Sequence, residues 1–189
     1  MWQETLFALD EPARNRIADQ LAQFLKALHN TPADHAGVSL PVYDTREGWW
    51  AMLDDFRRHL FSHMRPDARD EVMRTFEAAL NDPIQFDYTP ALRHGDFGGS
   101  NILIDHINGN ATGILDFDDL GLGDPAVDAS AILYTGEAFF ERMCETYPAL
   151  ADYRRRANFI CSTFALQEAL YGVLAGDEEA FDAGIANYR

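Results

Sequence analysis

Positive charge is scarce in this chain. It carries 15 Lys and Arg against 31 Asp and Glu, a formal net charge of −16, and its single lysine is Lys26. That balance argues against nucleic acid or an anionic membrane surface as the main partner, since both are held by clustered cations. Cysteine is nearly absent. Cys144 and Cys161 have neither C-x-x-C spacing nor a nearby histidine set, which excludes a disulfide framework and points to a reducing compartment. No apolar run approaches the roughly 20 residues needed to cross a bilayer. The opening MWQETLFALDEPARNR lacks a basic region followed by an apolar core, so no signal peptide is expected. Repeats and low-complexity segments are missing. The expectation is one soluble, cytoplasmic domain over residues 1–189, long enough for a real core.

What is present is mostly helical patterning. Ile17, Leu21, Phe24, Leu25 and Leu28 recur at helical spacing and predict a helix from about Glu11 to Asn30, with Pro12 at its start and Pro32 beyond its end. His29 on this helix reads as a packing or capping residue. Thr31 to Tyr43 reads as a loop. A second helix is expected from about Arg46 to Met64, through Trp49, Trp50, Leu53, Phe56 and Leu60, and a third from Asp67 to Leu80. Further helices are expected over Glu137–Thr146 and Leu150–Leu174. Gly172 weakens the end of the latter, and a last short helix starts at Asp177. The acids of Asp177-Glu178-Glu179 suit a helix N-terminus.

The stretch LRHGDFGGSNILIDHINGNATGILDFDDLGLGDPAVD, from Leu92 to Asp128, is organised differently. Ile102-Leu103-Ile104 and Gly113-Ile114-Leu115 are two short apolar runs. His106-Ile107-Asn108-Gly109-Asn110 lies between them, and Asn-Gly between apolar runs signals a hairpin. A hairpin brings its exit back beside its entrance, so Asp96, Asn101 and Asp116 are expected to converge. Two carboxylates and an amide at one point suit a hard divalent cation such as magnesium. Asp124-Pro125 reads as a helix start, with Asp at the N-cap and Pro at the first helical position. Asp128 then falls one turn in and ties that helix back to the loop.

The segment His94-Gly95-Asp96-Phe97-Gly98-Gly99-Ser100-Asn101, followed by Gly113-Ile114-Leu115-Asp116-Phe117-Asp118, resembles the catalytic segment of the aminoglycoside phosphotransferase and choline kinase-like group. Its His-x-Asp-x4-Asn pattern and the later Asp parallel the kinase catalytic loop and metal-binding Asp. The run Gly123-Asp124-Pro125-Ala126-Val127-Asp128 and the helix around Phe24–His29 are similar too. The resemblance implies a mostly helical α+β fold, the C-terminal lobe of a protein-kinase-like architecture with a small hairpin carrying the metal ligands. It implies Asp96 as catalytic base, Asn101 and Asp116 as ligands of magnesium and so of ATP, and His94 and Asp128 as loop braces. The acceptor would be a small hydroxyl compound, and a cationic one would suit the acidic chain. Asp118, Asp54, Asp55 and Glu178 are candidates for contacts with it.

The resemblance covers nearly all of this chain but only one lobe of the family. A complete member has an N-terminal lobe of strands with a phosphate-covering loop and a phosphate-pairing lysine. Lys26 sits on a predicted helix, and no Gly-rich strand-turn-strand precedes it. Weak or absent kinase activity is therefore expected of these 189 residues alone. A non-catalytic remnant or binding module is the alternative. A metal-dependent hydrolase built on His94 ranks last, because no further histidines stand at useful spacing.

Overall fold

The computed structural model describes residues 2–37, 39–105 and 107–189. In chain order the elements are α1 (Trp2–Ala8), α2 (Glu11–His29), α3 (Arg46–His59), α4 (Pro66–Leu80), β1 (Ala91–Arg93), β2 (Ile102–Asp105), β3 (Asn110–Ile114), β4 (Gly121–Gly123), α5 (Ala126–Thr135), α6 (Glu137–Thr146), α7 (Ala149–Ala175) and α8 (Glu178–Ile185). The chain divides into two compact units, one of residues 1–43 and 89–161, the other of residues 44–88 and 162–189.

In the first unit α2 is the central support. Asp10 caps it by accepting a hydrogen bond from the Ala13 backbone N–H at 2.8 Å, and Pro12 sits in its first turn. Its stripe of Ile17, Leu21 and Leu25 is fully buried with Leu6, Ile132, Phe140, Met143 and Leu150. One polar link ties α2 to α6. Arg142 donates to both oxygens of Asp19 at 2.8 and 2.6 Å, and the Thr146 hydroxyl donates to the same carboxylate at 2.6 Å.

Burial pushes the Asp19 carboxyl up, but the Thr146 hydroxyl and the Arg142 guanidinium outweigh it and hold it below its ordinary value of 3.8. A carboxylate depressed in the folded state stabilises fully above its unfolded value, and this is lost as pH falls through the lower folded value. The stability advantage of wild type over Asp19→Asn is therefore expected to be steady at neutral pH and to shrink in melts below pH 3.8. A difference that does not change across that range would contradict this role.

The strands form two antiparallel ribbons, β1 with β4 and β2 with β3. In the second ribbon Ile102 faces Ile114 and Leu103 faces Gly113, but Ile104 faces Ala111, so Thr112 is an inserted residue that bulges the strand. The hairpin turn is built on Asp105. Its carboxylate accepts from the N–H groups of Ile107 and Asn108 at 2.8 and 3.2 Å, and its carbonyl accepts from Gly109, which holds φ +61°. His106, expected to open that turn, lies outside the described residues.

The second unit packs α3 and α4 through Phe56 and Phe76, whose rings meet edge-on at 5.7 Å. Thr45 caps α3 by accepting from Gly48 N–H at 3.1 Å. The turn from α7 into α8 depends on close approach. A Cβ on Gly184 would stand 2.3 Å from the Ala165 carbonyl oxygen, and one on Gly172 would stand 2.3 Å from the Phe181 nitrogen. Gly172 thus admits the backbone of α8, rather than merely weakening α7. Gly176 ends α7 in the left-handed region at φ +72°, and Asp177 caps α8.

Several expected boundaries are corrected. The helix expected to run to Met64 ends at His59 and continues as a 3-10 turn over Phe61–His63. The second hairpin strand is Asn110–Ile114 rather than Gly113–Leu115, and Leu115 N–H still bonds the Asn101 carbonyl at 2.8 Å, one step past the Ile102–Ile114 pair. Helix α5 begins one residue later than expected, with Pro125 rather than Asp124 at its N-cap. The Asp124 carboxylate still accepts from Ala126 N–H at 2.9 Å, but its other business is a buried ion pair with Arg156. Helix α1 and the ribbon of β1 and β4 were not anticipated.

Candidate active site

Two loops connect the ribbons. The first, residues 94–101, leaves β1 and enters β2; the second, residues 115–120, leaves β3 and enters β4. Because β1 pairs with β4 and β2 with β3, the two loops run side by side. Their cross-links are specific. Leu115 N–H donates to the Asn101 carbonyl at 2.8 Å, and His94 Nε2 bonds the Leu115 carbonyl at 2.9 Å.

Asp96 and Asn101 meet at this seam, and Asp116 follows Leu115, whose N–H bonds Asn101. Asn101 Nδ2 donates to the Asp96 carbonyl at 2.9 Å and to Asp96 Oδ2 at 2.8 Å. This fixes the amide with Oδ1 as its remaining oxygen and leaves Asp96 Oδ1 beside Gly98, where a Cβ would stand only 3.5 Å away. Asn101 is buried, while Asp96 and Asp116 are exposed. Asp116 is one residue past the Leu115–Asn101 bond and holds φ +60°. That is the left-handed region, which Asp and Asn tolerate better than other non-glycine residues. The turn reverses the chain, and Asp116 Oδ1 accepts from Asp118 N–H at 3.4 Å.

Beneath the loop lies a buried polar column. Asp128 is fully buried and accepts from the N–H groups of His94 at 3.0 Å and Gly95 at 2.9 Å. His29 Nε2 reaches the same carboxylate at 3.0 Å, His29 Nδ1 faces the Tyr147 hydroxyl at 3.3 Å, and that hydroxyl meets Tyr153 at 3.2 Å. With Nε2–H donating to Asp128, Nδ1 is the acceptor for Tyr147. Burial first, then the Tyr153 hydroxyl, drives the Tyr147 phenol upward, keeping it a neutral donor. His94, also fully buried, accepts from Asp96 N–H at Nδ1 at 3.3 Å and packs against Phe97 and Phe117 with ring centroids 5.7 and 4.7 Å away. A pocket of about 280 Å³ adjoins Phe117, lined by Gln20, Leu21, Phe24, Ala111, Gly113 and Ile114.

The donor set suits magnesium. Among the described residues no group of three or more His, Cys, Asp or Glu is arranged to hold a metal. A hard cation that keeps waters and takes phosphate oxygens, however, needs only one or two protein oxygens. Asn101 Oδ1 and the Asp116 carboxylate are oxygens of that kind. The other predicted residues are dispersed. Asp118 is exposed on the second loop. In the second unit Asp54 and Asp55 each hold an arginine, Arg57 and Arg58, at 3.1 Å. Glu178 is exposed in the first turn of α8.

A family model described as the phosphotransferase enzyme family matches residues 3–159. The chain belongs to the phosphotransferase enzyme family. Viomycin phosphotransferase of Streptomyces vinaceus is 33% identical to this family member over 181 residues, covering 92% of this chain and 61% of that protein. The chain thus spans about 61% of that relative's length. The solved GDP and kanamycin complex of APH(2″)-IIIa superposes with a TM-score of 0.88 at 25% identity, over 98% of this chain and 65% of that one. Macrolide 2′-phosphotransferase MphH from Brachybacterium faecium gives a TM-score of 0.69 at 21% identity, over 93% of this chain and 60% of that one, a likeness of fold alone. The expected fold, a mostly helical α+β kinase-like C-terminal lobe with a small hairpin, is the fold observed. Arg93, which directly precedes His94-Gly95-Asp96 and donates to the Asp119 carbonyl, was not singled out by the motif.

Proposed function

We propose that the chain is the catalytic and acceptor-binding part of an ATP-dependent phosphotransferase that moves the γ-phosphoryl group of ATP to a hydroxyl of a small molecule. The observation that carries this reading is Asn101, whose amide holds Asp96 and whose carbonyl takes the Leu115 N–H beside Asp116. One side chain and its backbone thereby set base and metal ligand in register. Phosphoryl transfer asks for positioning and charge neutralisation more than covalent chemistry. Asp96 orients the acceptor hydroxyl and takes its proton at Oδ1, while Oδ2 stays bonded to Asn101. Asn101 Oδ1 and Asp116 would hold magnesium, which when bound neutralises charge on the phosphates. His94 and Asp128 keep the loop from relaxing as Asp96 takes up the proton.

The acceptor we infer is cationic. The named relative acts on viomycin, neighbouring structures hold kanamycin, gentamicin or streptomycin, and this chain is strongly acidic. Asp118, exposed two residues past Asp116, is the acid we assign to an ammonium group of the acceptor. Glu178, Asp54 and Asp55 belong to the second unit, where Asp54 and Asp55 each engage an arginine. No helix of the described residues is long and apolar enough to cross a membrane. Cys144 and Cys161 are free thiols, the latter pushed up to about 11 by burial, which fits a reducing cytoplasmic setting.

The test is single-turnover transfer from labelled ATP to a panel of cationic hydroxyl compounds, with wild type and Asp96→Asn. Loss of the base is expected to slow transfer by about 10²–10⁴-fold with magnesium-ATP affinity unchanged. Equal transfer by both proteins would remove Asp96 from the chemistry.

A further inference from the structure

Arg93 is buried at 5% exposure, one residue before His94. A cation so placed calls for a reason, since long charged side chains are seldom buried unless paired. Its surroundings give one. The guanidinium carbon lies 4.5 Å from the centre of the Tyr43 ring, and Nη1 donates to the Asp119 carbonyl at 3.2 Å. The same nitrogen presses on Gly95. A Cβ there would stand 2.1 Å from Arg93 Nη1, 2.7 Å from the Asp119 oxygen and 2.8 Å from the Asp119 Cβ. Gly95 holds φ +93°, so both its conformation and this contact exclude a side chain.

Gly95 adjoins the proposed base, Asp96. Asp119 is three residues past the proposed metal ligand, Asp116. Tyr43, the platform for the guanidinium, is itself fixed by its N–H to the Leu122 carbonyl at 2.8 Å and by contact with Gly121, where a Cβ would stand 2.5 Å from the ring. Asn101 and His94 tie the two loops near the hairpin end, and Arg93 lies at the opposite end, over β1 and β4.

We propose that Arg93 is a positioning residue, a cross-brace that clamps the loop of Asp96 to the loop of Asp116 and so sets the spacing of base and metal ligand. The planar, delocalised guanidinium suits this, because it stacks on an aromatic ring while donating in its own plane. Lysine keeps the charge but offers neither the stack nor the fork. The inference deepens the phosphotransferase reading and rests on it for its effect on metal, but not for the clamp itself.

The test compares wild type with R93K and R93M by amide hydrogen exchange without ligand and by titration with ATP at varied magnesium. The clamp requires R93M to raise exchange in residues 94–97 and 117–120 together, with residues 102–114 and α2 unchanged. The magnesium needed for half-maximal ATP binding should rise by about 10–100-fold, as when a residue orienting a metal ligand is removed, while ATP affinity in EDTA stays as in wild type. R93K should show the same pattern at smaller amplitude, and it carries the test if R93M does not fold. Exchange that changes in one loop only or in neither would overturn the proposal. So would loosening of both loops with an unaltered magnesium requirement. If wild type binds no magnesium-ATP, these residues alone do not complete a nucleotide site, and the exchange result alone decides the clamp.

Discussion

Replacing Asp128 with alanine is expected to cost about 2–6 kcal/mol of stability, because it leaves two backbone donors unsatisfied at about 1–3 kcal/mol each. Asp128 is fully buried, and its two oxygens serve three donors: His94 N–H, Gly95 N–H and His29. Truncation removes the acceptor of two backbone groups, the His94 N–H buried and the Gly95 N–H partly buried, and leaves the His29 ring without Asp128. A domain of this kind has only about 5–15 kcal/mol to lose. Asp128→Asn keeps the shape and one acceptor oxygen, so about half the effect is expected from the unsatisfied-group range above. Urea melts followed by circular dichroism measure both. A midpoint for Asp128→Ala equal to wild type would show that the catalytic loop is held by something else.

The second large effect is expected at Arg156. Its Nε and Nη2 meet the two oxygens of Asp124 at 2.7 and 3.1 Å, with side-chain exposures of 8% and 5%. Such a bidentate pair is well made, but its two ions also carry a desolvation cost. Breaking it from one side by Arg156→Met should destabilise by about 3–5 kcal/mol, since a buried carboxylate is left without its cation. Adding Asp124→Asn should recover a large part of that loss, because the stranded charge is gone. Asp124 also accepts from Ala126 N–H, a bond that asparagine can keep through its oxygen. Denaturant melts of the two singles and the double give the coupling directly. Additive effects would mean that the pair contributes shape and no electrostatic bond.

The helices were legible because their signals are local and repeated. The stripe of α2 and the Asp177 cap of α8 announce themselves in a few residues. Helix α1 was not read, since its seven residues bury only Leu6 and offer no periodicity. The ribbon of β1 and β4 escaped for the same reason: each strand has three residues, and their pairing is set by the two loops between them. The bond that brings Leu115 beside Asn101 is what a hairpin between them would give. The left-handed turn at Asp116 did not follow from the sequence, because φ is fixed there by the Leu115–Asn101 bond and not by residue type. Arg93 could have been suspected from an arginine inside an apolar strand, but its partners lie at Tyr43 and Asp119, distant in sequence. The arginines that engage Asp54 and Asp55 were within reach, since i,i+3 spacing on a helix is visible without coordinates.

Calorimetric titration of the folded chain with magnesium-ATP, for wild type and Asp116→Asn, tests the central assignment most directly. Asparagine is the right probe, because it tolerates the positive φ of this site and removes only the charge. The expected result is magnesium-dependent binding by wild type that weakens by about tenfold or more in Asp116→Asn, as for a lost charged ligand, with identical circular dichroism. Equal binding by the two proteins would contradict the assignment of Asp116 and Asn101 to a nucleotide-metal site.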